Sequence, residues 1–165
     1  MSKSIVSSGL RSSGTVISSG MSMYVLSGGS LTSAAVNFGG ELYVSNGGYA
    51  LNTSLGAGGY LRVGLGGLAN SAVVTSAGAK LDIEGTANNI SAGSAAVNVS
   101  ITVKGFVGRT TLAASGGVMN VLQQGNVSAV SLVALLTQTV DNPLTSLSVP
   151  AFCVKFKFTF LVFAL

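Results

Sequence analysis

The stretch Leu26-Ser-Gly-Gly-Ser-Leu-Thr-Ser-Ala-Ala-Val-Asn-Phe-Gly-Gly-Glu-Leu-Tyr-Val44 runs without a gap into Ser45-Asn-Gly-Gly-Tyr-Ala-Leu-Asn-Thr-Ser-Leu-Gly-Ala-Gly-Gly-Tyr-Leu-Arg-Val63. Laid one over the other, these 19-residue strings put glycine pair on glycine pair and aliphatic on aliphatic. The pairs are Gly28 with Gly29, Gly39 with Gly40, Gly47 with Gly48, Gly58 with Gly59, and Gly66 with Gly67, so their starts alternate in steps of 11 and 8. Extended backwards, the grid lands on Gly20 and Gly9; forwards it reaches Ala77, with Gly78 beside it. Self-similarity at a fixed period is the mark of stacked architectures.

The apolar residues keep the same beat. Ile17, Val36, Leu55 and Val74 stand 19 apart, as do Met23, Leu42 and Leu61, and Val25, Val44 and Val63. After Ala77 the register slips by one, and the ladders continue at Leu81 and Ile83, Ile101 and Val103, then Met119 and Val121. Within a unit, Glu41-Leu-Tyr-Val44 and Tyr60-Leu-Arg-Val63 alternate aliphatic with variable residues, the period of a half-buried strand. Glycines every 8 to 11 residues disfavour helix and mark sharp turns. Each unit therefore reads as two short strands and two glycine turns. Such a unit cannot bury its own apolar face, but stacked copies can. The fold expected is all-β, a right-handed parallel β-helix (solenoid) of 19-residue rungs. An antiparallel sandwich or meander of the same strands is the alternative, and it does not require exact ladders. Residues 1–128 are expected to form the solenoid and 129–165 an irregular, atypical hydrophobic tail.

The two quoted units resemble the AIDA-type passenger repeat, the strand-loop-strand repeat of self-associating autotransporter adhesins. The likeness covers residues 7–83 well and 84–128 loosely, and rests on the 11/8 spacing and the Asn-Thr of Leu51-Asn-Thr-Ser-Leu55. It implies a parallel β-helix on the outer surface of a Gram-negative cell, mediating adhesion, autoaggregation or biofilm formation. Host or bacterial surface components and further copies of the chain are the implied partners. The resemblance also implies O-glycosylation of turn serines by a heptosyltransferase, the matching positions here being Ser27, Ser30, Ser45 and Ser54.

Composition narrows the rest. Charged residues make up 7% of the chain and His and Trp are absent, so polar surface must come from Ser, Thr and Asn. The hydrophobic share of 48% is enough for a core, which excludes disorder of the charged, apolar-poor kind. The net charge of +4 comes from Lys3, Arg11, Arg62, Lys80, Lys104, Arg109, Lys155 and Lys157, which are scattered along the chain. Without a basic cluster or an aromatic platform, nucleic acid is not an expected partner. A single cysteine, Cys153, excludes an intrachain disulfide. The first ten residues hold no apolar run, so no secretory signal is expected within this chain.

No catalytic constellation emerges. Without His, the Ser-His-Asp and Cys-His arrangements cannot form. The four acids are Glu41, Asp82, Glu84 and Asp141, of which Asp82 and Glu84 are expected to share a solvated strand face. No Asp recurs after the glycines, as a calcium-binding repeat requires, and one Cys without His supplies no zinc site. Gly56-Ala-Gly-Gly-Tyr-Leu61 has Leu where a dinucleotide fingerprint needs its third Gly. The Asn-x-Ser sequons at Asn52, Asn89, Asn98 and Asn126 follow from an Asn/Ser-rich composition. Neither enzyme activity, cofactor, metal nor small-molecule substrate is expected.

From about Ala129 glycine vanishes and both prolines, Pro143 and Pro150, appear. Residues 129–140 read as a short buried helix or two strands. Val154-Lys-Phe-Lys-Phe-Thr-Phe160 alternates like a strand and is too short and too charged for a transmembrane helix. The function expected is a non-enzymatic surface adhesin module; the alternative is a non-functional truncated remnant of an autotransporter gene.

Overall fold

The computed structural model describes residues 2–96, 98–113, 116–122, 125–132, 137–140, 147–148 and 155–158. Among them every regular element is a strand, and the strands pair in parallel from rung to rung. The first sheet stacks β1 (Ser2–Val6), β4 (Met21–Val25), β7 (Glu41–Val44), β10 (Tyr60–Val63) and β13 (Lys80–Ile83). It continues through β16 (Ser100–Val103), β18 (Val118–Val121), β20 (Thr137–Val140) and β22 (Lys155–Phe158). The chain is a β-solenoid with turns of about 19 residues.

The second sheet is folded along its length. One half stacks β2 (Arg11–Ser13), β5 (Ser30–Thr32), β8 (Tyr49–Leu51), β11 (Leu68–Asn70) and β14 (Thr86–Asn88). The other stacks β3 (Val16–Ile17), β6 (Ala35–Val36), β9 (Ser54–Leu55), β12 (Val73–Val74) and β15 (Ile90–Ala92). The long strand β17 (Phe106–Leu112) joins both halves and pairs on its far side with β19 (Asn126–Leu132), which pairs in turn with β21 (Leu147–Ser148). A typical rung thus has three strands where the glycine grid suggested two.

The extra corner is made without a glycine pair. Gly14, Ser33, Asn52, Ser71 and Asn89 occupy one column, and all have φ between 53° and 66°. Ser and Asn tolerate this left-handed region better than branched residues, because their short polar side chains bond locally. The corner also ties rungs together: the N–H groups of Ser33, Asn52 and Ser71 donate to the carbonyls of Leu51, Asn70 and Asn88 at 2.8, 2.9 and 2.9 Å.

The core is a set of columns. Met23, Leu42, Leu61, Leu81, Ile101 and Met119 form one, in the register expected through both slips. Val25, Val44, Val63, Ile83, Val103 and Val121 form the next. From the second sheet come Ile17, Val36, Leu55, Val74, Ala92 and Leu112. Burying each such Leu or Ile contributes roughly 1.5–3 kcal/mol, so the stack is held mainly by these columns.

Two buried hydroxyls interrupt them. Thr53 Oγ1 and Thr110 Oγ1 have no hydrogen-bond partner. Their corner column elsewhere holds Ala34, Ala72 and Ile90, all buried. Thr53→Val is expected to raise stability by about 1 kcal/mol, because it removes an unsatisfied polar group at nearly constant shape. The urea midpoint reads this directly; a lower midpoint would mean that the hydroxyl contributes a bond.

Strand pairing does not stop at residue 128. β20 pairs β18, with Thr137 against Val118, and β22 pairs β20, with Lys155 against Thr137. Of the two readings of 129–140, helix or strands, residues 129–132 and 137–140 lie in strands β19 and β20. Cys153, both prolines and Phe160 lie outside the described residues.

Candidate functional site

The outward positions of the first sheet gather chemistry that is dispersed in the chain. Residues 19 or 20 apart become neighbours across a strand spacing of about 4.8 Å. Tyr24 and Tyr43 stack with ring centroids 4.8 Å apart and planes 9° from parallel. Tyr60 meets Tyr43 edge-on at 5.9 Å, and the Lys3 ammonium sits 4.4 Å above the Tyr24 ring. Stacked and edge-on pairs of this kind add about 0.5–1.5 kcal/mol each beyond burial.

Hydrogen bonds lace the same face. The Ser22 hydroxyl and the Tyr43 hydroxyl both donate to Glu41 Oε2, at 2.9 and 3.0 Å. The Tyr60 hydroxyl donates to Asp82 Oδ2 at 2.6 Å. Partial burial, then the bond to the neighbouring carboxylate, pushes the Tyr43 and Tyr60 hydroxyls above their ordinary value, Tyr60 the more strongly. Both therefore act as donors at any physiological pH. Arg62 Nη2 lies 3.0 Å from Glu84 Oε2, and Lys104 Nζ lies 3.7 Å from Glu84 Oε1. Asp82 and Glu84 are each held by a partner of their own, Tyr60 for the first and Arg62 with Lys104 for the second. Among the described residues, no cluster of His, Cys, Asp and Glu is placed to hold a metal.

Glu84 gives the face a pH response. The hydrogen bond from Arg62, ahead of the charges of Arg62 and Lys104, holds its carboxyl below the ordinary 4.5. A lowered folded-state value stabilises the fold above the ordinary value and loses that contribution as pH falls through the folded one. Arg62 is 46% exposed, so water screens the pair and its worth is below about 1 kcal/mol. Glu84→Gln is expected to lower stability slightly at pH 7 and to match the parent once the pH falls well below 4.5. Denaturation midpoints across pH 3–7 test this (roughly the carboxylate titration range). A gap that persists unchanged at the acid end would contradict it.

The glycine pairs do two different jobs. The first of each pair, Gly28, Gly39, Gly47, Gly58 and Gly66, has φ between 62° and 73°. The second of each pair does not. A Cβ on Gly29, Gly40, Gly48, Gly59 or Gly67 would fall on a backbone carbonyl oxygen of the preceding rung, that of Val6, Ile17, Val25, Val36 or Val44. The first member thus supplies the left-handed backbone of the sharp turn, and the second is required by close approach of backbones.

The four serines lie in four different columns. Ser27 is exposed in the turn between β4 and β5, and Ser45 is half-buried just after β7. Ser30 and Ser54 are not in turns; they are the first residues of β5 and β9, both half-buried. Ser45 lines a shallow depression of about 300 Å³ beside the tyrosine stack, with Tyr24, Tyr43, Asn46, Arg62 and Leu65. The clustering of Tyr24, Tyr43, Tyr60, Arg62 and Glu84 escapes a linear reading, although writing the sequence in 19-residue lines would have aligned most of it.

The fold and this face define a parallel β-solenoid of the extended-surface kind. Its backbone superposes on the crystal structure of a TibA fragment, described as hyper-glycosylated by TibC, with a TM-score of 0.57. The two are 23% identical over a match covering 84% of this chain and 67% of that one. At that identity the likeness establishes the fold. No family model matches the sequence. No curated protein matches it either.

Proposed function

We propose that this chain is a non-enzymatic adhesive repeat module displayed on the bacterial cell surface, as the AIDA-type resemblance implies. The observation that carries the reading is the tyrosine-rich outer face of the first sheet. Tyr24, Tyr43 and Tyr60 with Ser22, Glu41, Arg62, Asp82 and Glu84 form a continuous amphipathic strip over successive rungs. Rigid aromatic rings bearing polar tips suit contact surfaces, because they bury area at little conformational cost. Its partners are surface components of host or bacterial cells and other copies of the same chain. The shared fold with the TibA fragment supports this reading.

Cells displaying the full chain on their outer face are expected to clump as density rises. The double variant Tyr43→Ser with Arg62→Glu, displayed at the same level, is expected to clump less. Absence of clumping and of adhesion by the parent chain at equal display would refute the reading.

The same reading includes modification by a heptosyltransferase, with Ser27, Ser30, Ser45 and Ser54 as the acceptors; the glycosylation of the TibA fragment supports such modification in general. Of these, Ser27 is the most accessible. Intact mass after co-expression with such a transferase tests it; unmodified protein would remove the proposal.

A further inference from the structure

The second sheet carries a notch at the point where its corner disappears. Through four rungs the chain turns at a left-handed residue, Ser33, Asn52, Ser71 or Asn89. On the next rung Arg109 holds the same column but lies within the unbroken strand β17. Beside this change a wide, open depression of about 580 Å³ is lined by Asn70, Asn88, Asn89, Arg109 and Ser128. A Cβ at Gly108 would meet Asn88 Oδ1, so a side chain there would turn the Asn88 amide aside.

Its lining is unusual for this molecule. Every lining side chain is polar, only one is charged, and none is an acid. The Asn89 side-chain N–H donates to Asn70 Oδ1 at 3.1 Å, which turns the two amides toward each other. Arg109 is exposed, and no ion pair among the described residues engages its guanidinium, whereas Arg62 and Lys104 are both spent on Glu84.

We propose that this notch binds the carboxylate of an acidic saccharide, a uronic-acid unit of a polysaccharide. The planar guanidinium presents paired donors that match a carboxylate, and the amides offer both donors and acceptors to ring hydroxyls. An acidic peptide fits less well, because the lining is mostly polar and offers little apolar surface for neighbouring side chains. The net charge of +4 favours approach of a polyanion. The inference rests on the surface-module reading and gives it a ligand class, at a place remote from the tyrosine face.

The test uses the purified full chain and titration calorimetry with oligogalacturonate, the neutral oligomer of the same sugar, and an oligoglutamate of equal charge. Oligogalacturonate is expected to bind and the other two to bind at least roughly tenfold more weakly. Arg109→Gln is expected to reduce uronate binding by roughly tenfold or more, and Arg109→Lys to restore only part of it. Arg11→Gln, at an exposed cation outside both faces, serves as the control and leaves uronate binding unchanged. Equal binding of the neutral oligomer or of oligoglutamate, equal binding by Arg109→Gln, or no uronate binding at all would each overturn the proposal. Clumping of displaying cells is a separate readout: Arg109→Gln leaves it intact if the tyrosine face carries it. Loss of uronate binding with clumping retained therefore separates the two readings.

Discussion

Replacing Gly48 with Ala is expected to destabilise the fold by at least about 3 kcal/mol, although the change adds one methyl group. The added carbon would fall on the carbonyl oxygen of Val25. That oxygen cannot swing away, since it accepts the Ser45 N–H at 2.9 Å in the rung-to-rung ladder. Gly48 itself donates to the Ser45 carbonyl at 2.8 Å to close the turn. Relief therefore requires separating two rungs. Gly9→Ala makes the matched control: its φ is +76° but nothing lies within 4 Å of the added carbon. There only the left-handed backbone is penalised, by about 1–2 kcal/mol. Urea denaturation of both variants orders them, and equal losses would show that the pairs are turn residues and nothing more.

Leu61→Ala is expected to cost about 3–5 kcal/mol. Leu61 is fully buried, with Leu42 below it and Leu81 above in exact register. In a stacked column the cavity cannot collapse sideways without shifting backbone that is bonded to both neighbours. Because each rung contacts mainly the next, the damage should also divide the stack. Amide exchange is expected to accelerate in β7 and β13 as well as in β10. Leu65→Ala, at a side chain 76% exposed, should change stability by less than about 0.5 kcal/mol. A small effect at Leu61 would mean that the column is not the core.

Both effects were foreshadowed in the sequence to different degrees. The Leu42, Leu61, Leu81, Ile101 and Met119 column is legible because a stacked architecture converts sequence period directly into spatial contact. The left-handed corner was not. Ser33, Asn52, Ser71 and Asn89 carry no glycine, and in an Asn/Ser-rich chain four such residues at near-19 spacing look like composition. The two roles within a glycine pair were also hidden, since one depends on φ and the other on a carbonyl 23 residues earlier, as for Gly48 and Val25.

The surface was less legible than the core. Lys3, Arg62 and Lys104 look isolated in the chain, yet one meets a tyrosine ring and two meet the same carboxylate. The pair Arg62 and Glu84 is 22 residues apart, off the 19-residue grid, because a one-residue slip intervenes and Glu84 lies just past the end of β13. The notch at Arg109 lies beside the loss of a corner that the sequence never announced. The tyrosine stack follows the repeat, whereas the Arg109 depression lies where the repeat is broken and a search tuned to the repeat passes over it.

As proposed, this solenoid works on the outside of a cell. Its most direct test is fractionation of the native cells, with brief protease treatment of intact cells, followed by intact-mass measurement of the protein in each fraction. Surface display places the protein in the surface fraction, removed by external protease and carrying added sugar mass. An unmodified product confined to the cytoplasm and untouched by external protease would contradict it.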